Sequence, residues 1–192
     1  DTPMLTGESL AQLLDGHHAG GFTASVMTAE HPDPTGYGRI IRGDDGSLVR
    51  IVEEKDADEF EKAIEEINSG VYAFDAVKLA GAIGKLRNDN AQGELYLTDV
   101  IEILRNEGGK IAAVCIEDFT ETLGVNDRVQ LAEAAALLRD RINEKLMRSG
   151  VTIVDPTTTW VDATSVISQD VVLLPGTAIS GESTIGTGAV IG

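Results

Sequence analysis

Five short segments of this chain carry polar groups and glycines that could do chemistry, each at the end of a predicted element. Asp1-Thr2-Pro3-Met4 puts a carboxylate just ahead of a helical stretch, a placement suited to a hard cation. The same residue also reads as an exposed terminal acid. In Pro34-Thr35-Gly36-Tyr37-Gly38-Arg39 a glycine can let a backbone N–H approach a ligand closely, or simply lead into a hairpin. Glu53, after Ile51-Val52, and Asn68, in Ile67-Asn68-Ser69-Gly70, set hydrogen-bonding side chains beside apolar strands. Such groups suit the hydroxyls of a polyol, and equally a solvated strand edge. In Leu123-Gly124-Val125-Asn126-Asp127-Arg128-Val129, either Asn126 or Asp127 caps the helix that follows, leaving the other to offer a metal-ligating oxygen. His17, His18 and His31 lack Cys or acidic partners at metal-site spacing and read as surface residues. No Ser/His/Asp arrangement and no P-loop is visible.

The elements that must position these groups alternate. Thr6 caps a helix over 6–19 with Leu10, Leu13 and Leu14 on one face, ended by Gly20-Gly21. A strand over 22–29 follows, then a Pro- and Gly-rich loop, then a hairpin, 38–42 and 47–53, around Gly43-Asp44-Asp45-Gly46. A charged stretch over 55–66 leads to a strand over 67–74, helices over 76–86 and 97–106, and a buried strand over 111–116 that carries Cys115. The spacing of Leu131, Ala135, Leu138, Ile142 and Leu146 predicts a long helix over 128–148, stopped by Gly150. Alternating helices and apolar strands imply an α/β layer domain, with the long helix as a connector.

Beyond residue 160 the period changes. Val161, Ile167, Leu173, Ile179, Ile185 and Ile191 recur every six residues, and Ser165, Val171, Thr177, Ser183 and Ala189 follow at a fixed offset of four. This period fits neither a helix nor one long strand. It fits a solenoid whose coils each take three hexapeptides, the left-handed parallel β-helix. Fewer than two coils are present, too few to bury their own end, so the chain is expected to stop inside a domain.

Composition narrows the partners. The formal charge of −17 at pH 7 opposes nucleic-acid or anionic-membrane surfaces. A phosphate substrate would then need a cation or an imported basic loop. The single cysteine cannot form an internal disulfide, which fits a reducing, cytoplasmic compartment. No apolar run approaches the ~18 residues of a membrane span, and no signal peptide is visible. The chain starts at Asp rather than Met, so a cut or processed N-terminus is expected.

The order of the motifs resembles a known family, the bifunctional bacterial N-acetylglucosamine-1-phosphate uridyltransferases / glucosamine-1-phosphate acetyltransferases. The resemblance is carried by Asp1-Thr2-Pro3-Met4, Asp33-Pro34-Thr35-Gly36-Tyr37-Gly38-Arg39-Ile40, Ile51-Val52-Glu53, Glu66-Ile67-Asn68-Ser69-Gly70-Val71-Tyr72, Asn90-Ala91-Gln92-Gly93-Glu94-Leu95-Tyr96-Leu97-Thr98-Asp99 and Gly124-Val125-Asn126-Asp127-Arg128, which run into the hexapeptides. It implies an internal fragment: 1–127 as the C-terminal part of a Rossmann-like nucleotidyltransferase domain, 128–150 as a linker helix, and 151–192 as the start of a β-helix acetyltransferase domain.

The implied reaction is uridylyl transfer from UTP to N-acetylglucosamine 1-phosphate, giving UDP-N-acetylglucosamine and pyrophosphate. In the full-length parent it is joined to acetyl transfer from acetyl-CoA to glucosamine 1-phosphate, in a homotrimer. By the same resemblance Asp1 and Asn126 hold Mg²⁺, and Gly38, Glu53 and Asn68 bind the N-acetylglucosamine part. The family's Gly-rich phosphate loop, its uracil-binding residues and its acetyltransferase residues have no match here, so this piece alone is expected to be inactive. Two alternatives stay open: another sugar-1-phosphate nucleotidyltransferase, and a non-catalytic assembly subunit built from the same two folds.

Overall fold

The computed structural model describes residues 2–192. They fall into two compact units, Thr2–Leu123 and Gly124–Gly192.

In the first unit, helix α1 (Gly7–Gly20) begins at Thr6, whose side chain accepts from the Ser9 N–H at 3.1 Å, and ends at Gly21 in the left-handed conformation. Its inward face is not the predicted leucine stripe. Ser9, Leu13 and His17 are buried, while Leu10 and Leu14 are exposed. Strand β1 (Ala24–Glu30) is buried on both sides, as befits a central strand. A hairpin follows, β2 (Arg39–Arg42) and β3 (Leu48–Val52), turning at Gly46, whose φ of +77° favours glycine. The charged stretch forms a short helix, α2 (Glu59–Lys62), with Asp58 and Glu61 in a reciprocal capping box. Then come β4 (Glu66–Phe74), α3 (Ala76–Ile83), α4 (Asp99–Asn106), β5 (Ile111–Ile116) and a single 3₁₀ turn, Phe119–Thr122, that the pattern did not announce.

The five strands form one mixed sheet in the order β3-β2-β4-β1-β5, with only the β1–β5 pair parallel. One face carries Val26, Ile40, Leu48 and Ile51 against α3 and α4, through Ala82, Val100, Ile101 and Leu104. The other gathers Leu13 of α1 with Met27, Ala29, Ile67 and Ile116. Burying such side chains contributes about 1.5–3 kcal/mol each. Strand β5 is at the edge of the sheet. It is only half-buried, and Cys115 is exposed rather than enclosed.

In the second unit, α5 (Arg128–Arg148) is capped by Asp127, whose Oδ1 accepts from the Val129 and Gln130 N–H groups at 2.8 Å. Buried Asn143 ties it to the following chain by donating to the Pro156 and Thr159 carbonyls at 3.0 and 2.9 Å. Seven two-residue strands follow: β6 (Thr152–Ile153), β7 (Trp160–Val161), β8 (Val166–Ile167), β9 (Val172–Leu173), β10 (Ala178–Ile179), β11 (Thr184–Ile185) and β12 (Val190–Ile191). They pair in parallel: Val161 with Ile179, Ile167 with Ile185, and Leu173 with Ile191 and with Ile153. Val161, Ile167, Leu173 and Ile179 form one buried cluster, with Ile185 and Ile191 packed against it.

Candidate functional site

The ends of three strands bring Gly38, Glu53 and Asn68 together. Arg39 pairs with Val52 of β3 and with Ile67 of β4. One step further along the same rows lie Gly38, Glu53 and Asn68. The Asn68 N–H donates to the Gly38 carbonyl at 2.8 Å. A β-carbon added at Gly38 would lie 3.2 Å from Ile51 Cγ2, 3.5 Å from Asn68 Cβ and 3.6 Å from Glu53 Oε2. Gly38 has no left-handed φ to explain its glycine, whereas Gly36 does, with φ +87° and open space around it. The two glycines therefore serve different ends. Gly36 makes the turn, and Gly38 keeps a gap between Glu53 and Asn68.

A bulge aims Asn68. On β1, Val26 pairs with Tyr72 and Thr28 with Asn68, so β4 carries extra residues opposite Met27. Gly70 takes φ +79° there, Ser69 Oγ donates to the Met27 carbonyl at 2.7 Å, and the Gly70 N–H donates to Asn68 Oδ1 at 3.1 Å. Asn-Ser-Gly in the middle of an apolar strand is the sequence trace of this feature, and bulges re-aim side chains next to sites. Tyr72, the first paired residue after the bulge and stacked on Phe74, has its phenol pushed up to about 12 by burial. Its hydrogen bond with the Asn68 side chain pulls the other way, and the nearby Glu53 charge adds to the rise.

Glu53 is held by a residue the sequence reading did not single out. Buried Thr98 donates its hydroxyl to Glu53 Oε1 at 3.0 Å. Thr98 stands at the N-cap of α4 but makes no side-chain cap bond, so its hydroxyl is committed to Glu53 instead. The sequence pattern puts Thr98 inside a helix over 97–106, whereas α4 begins at Asp99 and leaves Thr98 just ahead of it, so nothing in the pattern points to its hydroxyl. Beside Glu53 opens a cavity of about 190 Å³, lined among others by Asp56, Asn90, Tyr96 and Asp99. The 90–96 loop is laid over it, with the Ala91 N–H donating to Asp56 Oδ1 at 2.8 Å and Gln92 Nε2 donating to the Tyr96 hydroxyl at 2.8 Å. Burial, then the charges of Glu102, Glu53 and Asp56, hold the Asp99 carboxyl above its ordinary range. This end of the sheet is thus rich in carboxylates and hydrogen-bond acceptors, and Arg50, which also lines the cavity, is ion-paired with Glu61.

Of the other proposed site residues, Asp1 lies outside the described residues. Asn126 belongs to the second unit. Since Asp127 supplies the helix cap, the Asn126 side chain is exposed and makes no hydrogen bond among the described residues, while its N–H donates to Gln130 Oε1 at 2.7 Å. Its amide oxygen is a hard donor of the kind Mg²⁺ accepts. Among the described residues no three His, Cys, Asp or Glu side chains gather as a metal cluster.

Two of the three histidines correct the surface reading, while His18 is exposed as expected. His17 is buried, with Nδ1 2.9 Å from Ser25 Oγ. His31 is buried between Tyr37 and Phe119, its Nδ1 accepting the Asp33 N–H at 3.0 Å. His31 therefore packs against the Tyr37 that precedes Gly38.

Comparison with known proteins gives the family. The sequence profile described as "Nucleotidyl transferase" matches residues 4–166. The chain belongs to the nucleotidyl transferase family. Among curated proteins it is 52% identical, over 193 residues and its whole length, to the "Bifunctional protein GlmU" of Streptomyces avermitilis, of which it covers 40%. A protein of the same name from Shouchella clausii is 52% identical, with 42% of its length covered. The chain thus spans about two fifths of the length of these relatives. A crystal structure described as a glucose-1-phosphate thymidylyltransferase from Bacillus anthracis shares the fold, with a TM-score of 0.51, 21% identity, and coverage of 68% of this chain and 49% of that one. The α/β nucleotidyltransferase architecture and the transferase class are those of the family. No helix among the described residues is long and apolar enough to cross a membrane.

Proposed function

We propose that this chain is part of an enzyme that transfers uridylyl from UTP to N-acetylglucosamine 1-phosphate, yielding UDP-N-acetylglucosamine, a cell-wall precursor, in the cytoplasm. The observation that carries the reading is the row of Gly38, Glu53 and Asn68, with the gap that Gly38 leaves between the other two. In this reading the sugar lies against that row. Glu53, oriented by Thr98, accepts from a sugar hydroxyl or amide. Asn68, aimed by the bulge, bonds another polar group of the sugar, and the Gly38 backbone approaches closely because nothing projects from it.

Asp1 and Asn126 would hold Mg²⁺, and the fit rests on the exposed amide oxygen of Asn126. A bound Mg²⁺ supplies the positive charge that phosphates need beside so acidic a chain. Positioning and charge neutralisation are the main demands of phosphoryl-type transfer, so the lack of a protein nucleophile agrees with it.

The division into 1–127, 128–150 and 151–192 belongs to the same proposal. The parallel pairs 18 residues apart, such as Val161 with Ile179, support reading 151–192 as the first coils of a left-handed parallel β-helix. In the longer parent these coils lead into an acetyltransferase that uses acetyl-CoA and glucosamine 1-phosphate, in a homotrimer. The 192-residue chain alone is proposed to be inactive. The test is pyrophosphate release from UTP and N-acetylglucosamine 1-phosphate. Mg²⁺-dependent turnover by the parent, with none by this chain, is expected. A parent that prefers ATP, GTP or a non-acetylated hexose phosphate would contradict the substrate assignment.

A further inference from the structure

Beneath the sugar row is a buried charge with no evident reason to be there. The Arg39 side chain is 2% exposed, and its Nε has no hydrogen-bond partner. A buried ion pair is weak evidence for stability, because the cost of desolvating both charges rivals their attraction. An apolar residue would fill this position in a β-hairpin more simply.

The contacts of Arg39 suggest another purpose. Its Nη1 donates to the Tyr37 carbonyl, and its Nη2 reaches the Lys62 carbonyl of α2 at 3.5 Å. The same Nη2 lies 2.6 Å from Glu54 Oε2, an ion pair by distance with an angle outside the hydrogen-bonding range. One planar group thus ties the loop before β2, the end of β3 and helix α2 to strand β2.

Each sugar-row residue is one step along the chain from a point Arg39 holds. Gly38 lies between Tyr37, whose carbonyl is bonded, and Arg39 itself. Glu53 precedes the ion-paired Glu54. Asn68 follows Ile67, the cross-strand partner of Arg39, and bonds back to Gly38. Neighbouring residues of a strand point to opposite faces. Arg39 therefore fixes the row from below without occupying the space the row presents.

We propose that Arg39 is a positioning residue for the sugar-binding row, acting through its hydrogen bonds to the Tyr37 and Lys62 carbonyls and its ion pair with Glu54. A lysine keeps the charge but not the planar fork, so it cannot replace Arg39 here. The inference rests on the assignment of this row to N-acetylglucosamine 1-phosphate.

The test uses Arg39→Lys, Arg39→Gln and Glu54→Gln in the parent protein, with steady-state kinetics and thermal melting. Arg39→Lys is expected to raise KM for N-acetylglucosamine 1-phosphate about tenfold or more, leaving KM for UTP within about twofold. Glu54→Gln should shift the same parameter in the same direction by a smaller factor. An Arg39→Lys enzyme with wild-type KM for the sugar phosphate overturns the proposal. So does a loss shared equally by both substrates and explained by a lower Tm. If both Arg39 variants fail to fold, an unchanged sugar KM in Glu54→Gln overturns it.

Amide exchange in this 192-residue chain separates the proposal from the functional reading. Arg39→Lys should speed exchange at the Asn68 N–H about tenfold relative to wild type, with the β1 amides unchanged. Faster exchange in a protein whose parent does not use this sugar would fault the substrate assignment and leave the positioning role standing. Unchanged exchange would sink the role itself.

Discussion

The two units of this chain are built by opposite logics. In Gly124–Gly192 the inward residues are set by a local period, and each meets a partner 18 residues away, as Ile167 meets Ile185. In Thr2–Leu123 the residues that matter come from separate elements, and Gly38, Glu53 and Asn68 meet only because β3, β2 and β4 are neighbours in the sheet. A repeat is tolerant along its length and costly to damage at its core. A site of converging strand ends is the reverse, with little stability at risk and much function.

The largest effect should therefore fall on stability, in the repeat. Leu173 is fully buried, and Leu173→Ala should lower the unfolding free energy by about 3 kcal/mol, measured by urea denaturation of this chain. A loss below ~1 kcal/mol would mean that this unit does not depend on its buried aliphatic cluster. The second effect should fall on binding. Gly38→Ala puts a methyl group 3.2 Å from Ile51 Cγ2 and between Glu53 and Asn68, and in the parent it should raise KM for the sugar phosphate about a hundredfold with only a small fall in Tm. Equal loss of stability would blur the contrast between the units. Thr98→Val, which removes the hydrogen bond to Glu53, should cost a smaller factor, about fivefold in the same KM.

The smallest effect is a pH signature. The Tyr72 phenol titrates at about 12 when folded, against an ordinary value of 10.0. Its folded pKa is raised, so its contribution to stability is complete below pH 10 and is lost as pH climbs through about 12. Tyr72→Phe should flatten that alkaline loss, and ultraviolet titration should show one late phenol disappear. A wild-type chain with no such phenol would argue that the bulge region is open to water.

How much of this was legible in the sequence follows the same divide. The hexapeptide stripe and the long helix could be read because each has a period, and their bounds in the structure follow it. The strands of the α/β unit could be read as apolar runs, but their order could not, since nothing local says that β4 lies between β2 and β1. Burial was the weakest inference. Leu10 and Leu14 carry the right spacing yet face outward, because α1 buries Ser9, Leu13 and His17. Cys115 sits in an apolar run but on an edge strand. Among the site residues, the types of Glu53 and Asn68 suggested hydrogen bonding. Their meeting at Gly38, and the Thr98 that orients Glu53, depend on pairings between 15 and 45 residues apart. Asn-Ser-Gly inside a strand was a readable trace of the bulge, though it does not say where the bulge aims.

The most direct test of the row is to watch its amides while the sugar binds. N-Acetylglucosamine 1-phosphate titrated into ¹⁵N-labelled parent protein should shift the Gly38 and Asn68 resonances first and most, with the Thr98 neighbourhood following. Saturable binding that leaves those resonances in place and moves others would contradict the account.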